Sequence, residues 1–485
     1  MIIALLEGNW PYIFVAFYIL NIPPMLSILF WEKTNPRGAL LWIVVLSLVP
    51  PVGFFLFILI GPTFYNPLKD FKAKARGDES VAELYAEQVS RVREKSGREI
   101  PEEAADFILA LGRAGVRSYT DDNRVELITD GVVKFKSLIE DIEAAETSIH
   151  LEYYMVTDDR LSNVILDALE RRSDEGLEVR VLFDAYGAGL GMNKRLRELK
   201  KKGMKIDFFH TFTKLFFSPR KNNRNHRKLA VIDGRVCYVG GFNIGKDYIG
   251  AGELGYWRDT AVRIEGGAVD WVQLRFLIDW RYATGEDLTD RPEYFDRERR
   301  GGDACVQIVS GGPDVLRKNP VEMQYLLMFS RARETLYMQT PFLAPDPALL
   351  NGMRLAAVSG VDVRLILPDK TRQPMTYWSN MYYANILMKS GVRVYFYRNG
   401  YMHSKALVAD SFYCSVGSAN LDERSMNLNF ETNAMIYSRE VGKQLTEAFM
   451  RDLEFCDECS TEDYARRSFK TRVKIAFARL SSSLL

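Results

Sequence analysis

The chain changes its rules of polarity after its first sixty residues. Residues 10–31 are 22 positions without a charged side chain, and residues 39–60 are another 22. At a helical rise of ~1.5 Å per residue each stretch covers about 33 Å, enough to cross a hydrocarbon core of ~30 Å. A cleaved leader does not fit this pattern. The first nine residues carry no Lys or Arg, and a second apolar stretch follows at once. Pro23-Pro24 and Pro50-Pro51 fall near the middle of the two stretches and predict kinked helices, with a tight re-entrant hairpin as the alternative. The loop 32–38 holds Lys33 and Arg37. The segment after the second stretch holds Lys69, Lys72, Lys74 and Arg76, with Asp70 opposing. That bias predicts two spans in the cell membrane, with the N-terminus and the large remainder in the cytoplasm.

The remainder begins with a charged, mostly helical connector at 66–118. An alternation of strand-like and helix-like patterns follows. Residues 125–129 read as a strand, 133–145 as a helix, 148–156 as a strand and 161–172 as a helix. Residues 178–183 read as a strand, 194–202 as a helix and 205–209 as a strand. The rhythm restarts after Gly301-Gly302: 334–342 parallels 148–156, 360–367 parallels 176–183, and 391–396 parallels 203–208. A repeat this long is no solenoid unit. It predicts an α/β fold of two similar halves, 119–290 and 291–485, preceded by the membrane hairpin at 1–65 and the connector. The Gly- and Pro-bearing charged stretch 281–300 is the expected joint.

Composition narrows the classes. Hydrophobic residues are 47% and charged residues 26%, close to globular averages, which excludes a disordered chain and a polytopic transporter. Lys+Arg is 64 against Asp+Glu 63, so no basic excess points to bulk nucleic-acid binding. Five cysteines are too few and too odd for a disulfide framework. Cys456 and Cys459 form a lone C-x-x-C pair, read as free thiols rather than a zinc site. Four histidines exist: His150, His210, His226 and His403. His150, in a strand with no Lys two positions on, reads as a core residue, and His210 as loop packing at a strand end.

The other two occupy matching slots. Asn225-His226-Arg-Lys228 runs into Leu-Ala-Val-Ile-Asp233, and Gly240-Gly241-Phe-Asn243 follows. Met402-His403-Ser-Lys405 runs into Ala-Leu-Val-Ala-Asp410, and Gly417-Ser418-Ala-Asn420 follows. The two motifs are 177 positions apart (403 − 226) throughout. His and Lys at i and i+2 of a strand share a face. Asp233-Gly234 signals a hairpin that returns the chain towards that face. Its small residues would let backbone N–H groups approach a ligand. Lys, Asn and bare N–H groups together suit the oxygens of a phosphoryl group in transfer. An imidazole can be a nucleophile or a general acid, and two facing one phosphorus could do both. Each would need an orienting carboxylate, for which Asp259 and Glu431 are the candidates. No metal-ligand cluster accompanies the motifs, so no metal and no cofactor are expected.

These residues resemble the phospholipase D superfamily, marked by two HxKxxxxD motifs. Several segments resemble the bacterial cardiolipin synthases within it: Gly240 to Gly245 with Tyr248, Asn420 to Glu431, Thr340-Pro341 with Pro345-Asp346, the terminal Ser483-Leu-Leu485 and the N-terminal hairpin. Phe342-Leu343-Ala344 departs from the family's more usual Tyr-Phe followed by an apolar residue. The resemblance implies two phospholipase D-like halves related by a pseudo-two-fold axis. It also implies ping-pong phosphatidyl transfer between two phosphatidylglycerol molecules, giving cardiolipin and glycerol. By the same resemblance the catalytic set is His226, Lys228, Asp233, His403, Lys405 and Asp410. His226 would be the nucleophile and His403 the acid and then base, an order the near-symmetric sequence leaves open. Lys228, Lys405, Asn243 and Asn420 would bind phosphate with help from Ser418, while Asp233 and Asp410 brace the site. A hydrolytic phospholipase D is the alternative. A nucleic-acid phosphodiesterase is a further one, opposed by the membrane spans and the balanced charge. Acyl-chain preference stays open, and a homo-oligomer is compatible with everything above. The segment 214–224 mixes aromatic and basic residues and reads either as an ordinary loop or as a lip at lipid headgroups. The basic, apolar C-terminus, 466–485, is expected to pack on the body.

Overall fold

The computed structural model describes residues 10–31, 36–60, 90, 92, 102–188, 194–209, 223–295, 301–313 and 319–481. His210, the aromatic part of segment 214–224 and most of the connector lie outside these residues. The chain forms two compact units.

The first unit holds the apolar helices. One runs Trp10–Trp31 with Pro23 and Pro24 inside it, so the proline pair does not interrupt it. Its segment Tyr12–Phe30 is long and apolar enough to cross a membrane. The second stretch breaks at its proline pair, where a kink was expected. It consists of Pro36–Leu48 and Pro50–Ile60, divided at Val49. Pro50 has no N–H, so the Leu46 carbonyl four residues earlier loses its helical donor. Asn21 supplies one. Its Nδ2 donates to the carbonyls of Leu46 (2.9 Å) and Pro50 (3.1 Å). Asn21 is buried, while Tyr12, Ile19, Leu29 and Leu40 face outwards.

The second unit carries the two halves. The first half contributes β1 (Tyr119–Ile128), β2 (Ser148–Tyr153), β3 (Glu178–Asp184), β4 (Lys205–Phe209), β5 (Lys228–Ile232), β6 (Val236–Gly240) and β7 (Ala261–Glu265). The second contributes β8 (Ala304–Gly311), β9 (Thr335–Gln339), β10 (Asp362–Pro368), β11 (Arg393–Tyr397), β12 (Ala406–Ala409), β13 (Tyr413–Gly417) and β14 (Asn429–Tyr437). An added edge strand is β15 (Cys456–Cys459). Outwards from the centre the order is β1-β7-β6-β5-β2-β3-β4 on one side and β8-β14-β13-β12-β9-β10-β11 on the other. The orders match, and β1 pairs antiparallel with β8, so the pseudo-two-fold axis passes between them. Strand β1 serves both sheets. Its start pairs with β8, and Arg124 to Ile128 pair with β7.

Side-chain alternation sorts the strand residues into separate cores. In β5, Ala230 and Ile232 join the first half's own core, while Leu229 and Val231 join a core shared with the second half. In β12, Leu407 and Ala409 join the second half's core, while Ala406 and Val408 enter the shared one. Burial on both faces explains why the residues after each motif lysine are uninterruptedly apolar. The motif strands are thereby clamped between two hydrophobic layers, which fixes the histidine and lysine at their ends.

Two outlying helices close the unit. Glu102–Arg113, part of the connector, inserts Phe107 against Tyr413 and Tyr437 of the second half, with ring centroids 5.2 and 5.6 Å away. The helix Phe469–Ser481 packs on Pro374–Met388 and buries Ile475 and Ala478, leaving Phe469, Val473 and Phe477 outwards. His150 is a core residue as expected, stacked on Phe276 at 4.7 Å with Nδ1 3.1 Å from Gln273 Oε1. Cys456 and Cys459 are free thiols in β15, and burial raises both, Cys456 to about 12.

Candidate active site

Each motif histidine sits just before its strand, in an extended segment held by a two-residue ladder to the opposite half. Arg224–Asn225 pairs in parallel with Asn429 and Phe430 at the start of β14. Trp257–Arg258 pairs in parallel with Tyr401–Met402. The histidine backbones continue these ladders: His226 N–H donates to Phe430 O, and His403 N–H to Arg258 O. Both motifs therefore meet at the boundary between the halves.

The ladders cross the carboxylates over. His226 Nδ1 lies 3.0 Å from both oxygens of Glu431, a second-half residue. His403 Nδ1 lies 2.5 Å from Oδ2 of Asp259, a first-half residue. A ring that donates from Nδ1 keeps its lone pair on Nε2, the form that can attack phosphorus or accept a proton. Ser418 Oγ donates to Glu431 Oε2 (2.5 Å) and accepts from Thr432 N–H (3.0 Å). Asn429 Nδ2 donates to Glu431 Oε1 at 3.2 Å. Ser418 thus braces the carboxylate.

Burial sets the electrostatics. It pulls the His226 imidazole down to about 4, with Glu431 opposing and Lys228 assisting the shift. It pulls His403 to about 3, assisted by Lys405 and opposed by Asp259. Lys228 falls to about 7 and Lys405 to about 8, again mainly through burial. Lys405 also repels Lys228, and each lysine feels Asp259 and Glu431. The two motifs therefore share one electrostatic field. Two lysines balance two carboxylates, so an incoming phosphodiester anion leaves room for one imidazolium. Glu431 stays below its ordinary value although burial pushes it up, because His226 and Lys228 hold it ionised.

Other expected residues take distinct places. Each motif lysine donates from Nζ to the carbonyl of its own histidine, Lys228 to His226 and Lys405 to His403, and Lys405 Nζ also lies 2.9 Å from Nδ1 and 3.1 Å from Nε2 of His403. Asn243 Nδ2 donates to the Tyr248 hydroxyl at 2.7 Å. The Oδ1 atoms of Asn243 and Asn420 are buried without a partner, a cost of about 1–3 kcal/mol each that a bound ligand can relieve. Turning the Asn243 amide would keep the tyrosine bond and present Nδ2 instead. Asp233 and Asp410 do not reach the histidines. Asp233 accepts from the backbone N–H groups of Glu146, Thr147 and Ser148, and Asp410 from those of Arg333, Glu334 and Thr335. They pin the chain entering β2 and β9, which is bracing at the far end of the motif strand. The glycine expectation also changes. A Cβ on Gly241 would fall 2.0 Å from Asp259 Oδ1, and one on Gly417 2.0 Å from Asn433 Oδ1. That space admits neighbouring side chains, not a ligand.

Aromatic walls were missed in the sequence. Tyr154 meets the His226 ring edge-on at 4.9 Å. Tyr248 and Trp257 contact His403 at 5.5 and 5.3 Å. Tyr248 stood in a recognisable segment without a role, and Tyr154 carried no signal, because only the fold brings its strand end to His226.

A model described as a cardiolipin synthase, phospholipase D-like domain matches the chain twice, at 138–265 and 325–453, once for each half. A Staphylococcus epidermidis protein named cardiolipin synthase 2 is 37% identical over 475 residues, 97% of either chain. The chain belongs to the cardiolipin synthase family of phospholipase D-like proteins. A Listeria welshimeri cardiolipin synthase is 38% identical, covering 99% of this chain and all of its own. Among solved structures, a phosphatidylserine synthase from Haemophilus influenzae superposes with a TM-score of 0.58 over 74% of this chain and 95% of its own, at 16% identity. That likeness speaks for the shared fold. The two matched segments contain the paired histidines, His226 in the first and His403 in the second.

Proposed function

We propose that the protein is a membrane phosphatidyltransferase that condenses two phosphatidylglycerol molecules into cardiolipin and glycerol. The observation that carries this is the pair of histidines at one site, each oriented by a carboxylate of the opposite half and flanked by the motif lysines. In the first step His226 Nε2 bonds to phosphorus, the P–O bond to glycerol breaks, and His403 gives that oxygen a proton. In the second, the hydroxyl of another phosphatidylglycerol gives its proton back to His403 while its oxygen bonds to phosphorus and displaces His226. Lys228 and Lys405 meet the charge on the phosphoryl oxygens, with Asn243 and Asn420 beside them. Hydrolysis is the same chemistry with water as the second nucleophile.

The apolar helices would place this chemistry at the bilayer. We take both stretches to be membrane-spanning, with the catalytic body cytoplasmic. Support comes from the length of Trp10–Trp31, the apolar exterior and the basic bias of the flanks. Incubation of the full chain with phosphatidylglycerol alone tests the reaction. Cardiolipin plus glycerol is expected, and phosphatidic acid plus glycerol would mean a hydrolase. With labelled lipid, His403→Ala should retain a covalent phosphatidyl group that His226→Ala cannot form. Label surviving only in His226→Ala would reverse the two roles.

A further inference from the structure

The helix Phe469–Ser481 uses little of its surface to hold on to the catalytic unit. It buries Ile475 and Ala478 where it packs on the helix Pro374–Met388. Phe469, Val473 and Phe477 recur every four residues on another face and are 80%, 50% and 65% exposed. Single exposed apolar side chains are ordinary on a protein surface. A stripe of two phenylalanines and a valine over about two turns is not.

The charge along this stripe has one sign. The helix carries Lys470, Arg472, Lys474 and Arg479 and no acidic residue, and no Asp or Glu follows Asp463 in the sequence. The supporting helix Pro374–Met388 has no charged residue at all. At 3.6 residues per turn Lys470 and Lys474 follow one flank of the stripe and Arg472 the other, and all three are exposed. Lys474 Nζ lies 5.5 Å from the Trp378 ring of the supporting helix. Arg472 donates to the backbone carbonyls of Arg467 (3.2 Å) and Ala465 (2.6 Å). Trp378 and Tyr382 are half-buried on the support, and such rings, apolar with one polar end, favour the headgroup region of a bilayer. The support also leads to the active site. Arg372, just before it, pairs with Asp247 at 2.6 Å and lies 4.9 Å from the Trp257 ring, which walls His403.

An apolar stripe rimmed by cations is the pattern of a helix lying in the plane of a membrane interface. A second copy of the chain on this face would set cation against cation, and a neutral protein would leave the cations unmatched. An anionic lipid surface matches both the stripe and its rim. We propose that the helix Phe469–Ser481 lies on an anionic lipid surface, with Phe469, Val473 and Phe477 among the acyl chains and Lys470, Arg472 and Lys474 at the phosphates. The catalytic unit thereby has a membrane contact of its own, in addition to the apolar N-terminal helices. The contact is the same whether a lipid hydroxyl or water is the second nucleophile.

The test uses the full chain reconstituted in vesicles, with Phe477 replaced by the photoreactive benzoylphenylalanine. In phosphatidylglycerol vesicles illumination should attach lipid at position 477. In phosphatidylcholine vesicles, or in high salt, attachment should fall severalfold. Attachment to a second copy, or to another segment of the chain, in place of lipid would overturn the proposal, as would equal attachment in the two kinds of vesicle. A second measurement follows glycerol, which both transfer and hydrolysis release. Phe469→Ser with Phe477→Ser should lower kcat/KM for phosphatidylglycerol vesicles roughly tenfold. For a short-chain, monomeric phosphatidylglycerol it should stay within about twofold, which also reports that the variant is folded. Equal losses on both substrates, or none on either, would overturn the role of the helix. If the unaltered chain is retained by neither kind of vesicle, the membrane reading of the N-terminal helices fails instead.

Discussion

The two halves of the active site share a backbone plan and differ in what surrounds it. His226 faces a bidentate Glu431 that Ser418 and Asn429 brace, and its side chain is 14% exposed. His403 faces a single oxygen of Asp259, is 8% exposed, and is hemmed in by Tyr248, Trp257 and the Lys405 ammonium. A duplicated motif thus gives two imidazoles of one tautomer in unequal surroundings. The more open ring, held at two points, suits attack on a bulky phosphodiester. The ring against an ammonium suits gaining and losing a proton as an anion comes and goes.

The largest effect should come from the carboxylates. Glu431→Gln and Asp259→Asn each remove the acceptor that fixes the tautomer, and each should slow turnover about 10²–10⁴-fold. The two should part company on a phosphatidyl ester of p-nitrophenol, a leaving group that needs no proton. Formation of the labelled histidine should stay slow in Glu431→Gln and recover in Asp259→Asn. Recovery in both, or in neither, would erase the division of roles.

A smaller effect lies in the pH dependence. The lysines are depressed, so the free protein loses positive charge as pH rises through about 7 (Lys228) and about 8 (Lys405). Each lysine charge lost should steepen there the fall of kcat/KM that deprotonation of the His403 acid begins at lower pH. The acid limb should lie near 4, where His226 takes up a proton. A bound phosphodiester favours the charged lysines, so the basic limb of kcat should move to higher pH. Lys228→Arg keeps its charge throughout and should leave a single limb near 8, at a reduced rate. An unmoved limb would show that Lys228 does not set it.

The smallest effect concerns the turns that follow the motif strands. Asp233-Gly234 and Asp410-Ser411 both adopt positive φ, at 54° and 63° in the first and 52° and 47° in the second. Serine is strained there by about 1 kcal/mol relative to glycine. Gly234→Ser should lower thermal stability by about that amount. Ser411→Gly should raise it by less, because it gives up the 2.9 Å contact of Ser411 Oγ with Thr446 Oγ1. Equal and opposite shifts in melting temperature would mean that the hydroxyl contributes nothing.

Local pattern alone carried much of this protein. The alternation of apolar residues, the repeat and the paired motifs predicted the two halves, and strand β4 was placed to the residue. Those features follow from backbone periodicity and from burial on both faces of a strand, which are written in neighbouring residues. Asp259 and Glu431 could be named as candidates because each stands in a recurring segment. Which histidine each would serve could not be read, because the answer depends on two-residue ladders between chain segments about 150 to 200 positions apart. The same holds for Ser418, turned to Glu431, and for Gly241, whose missing side chain makes room for Asp259. It holds too for Asn21, which reaches across from another helix to a carbonyl that Pro50 leaves unpaired. Periodicity fixes which way a side chain points along its own strand. Only the packing of one half on the other decides what it meets.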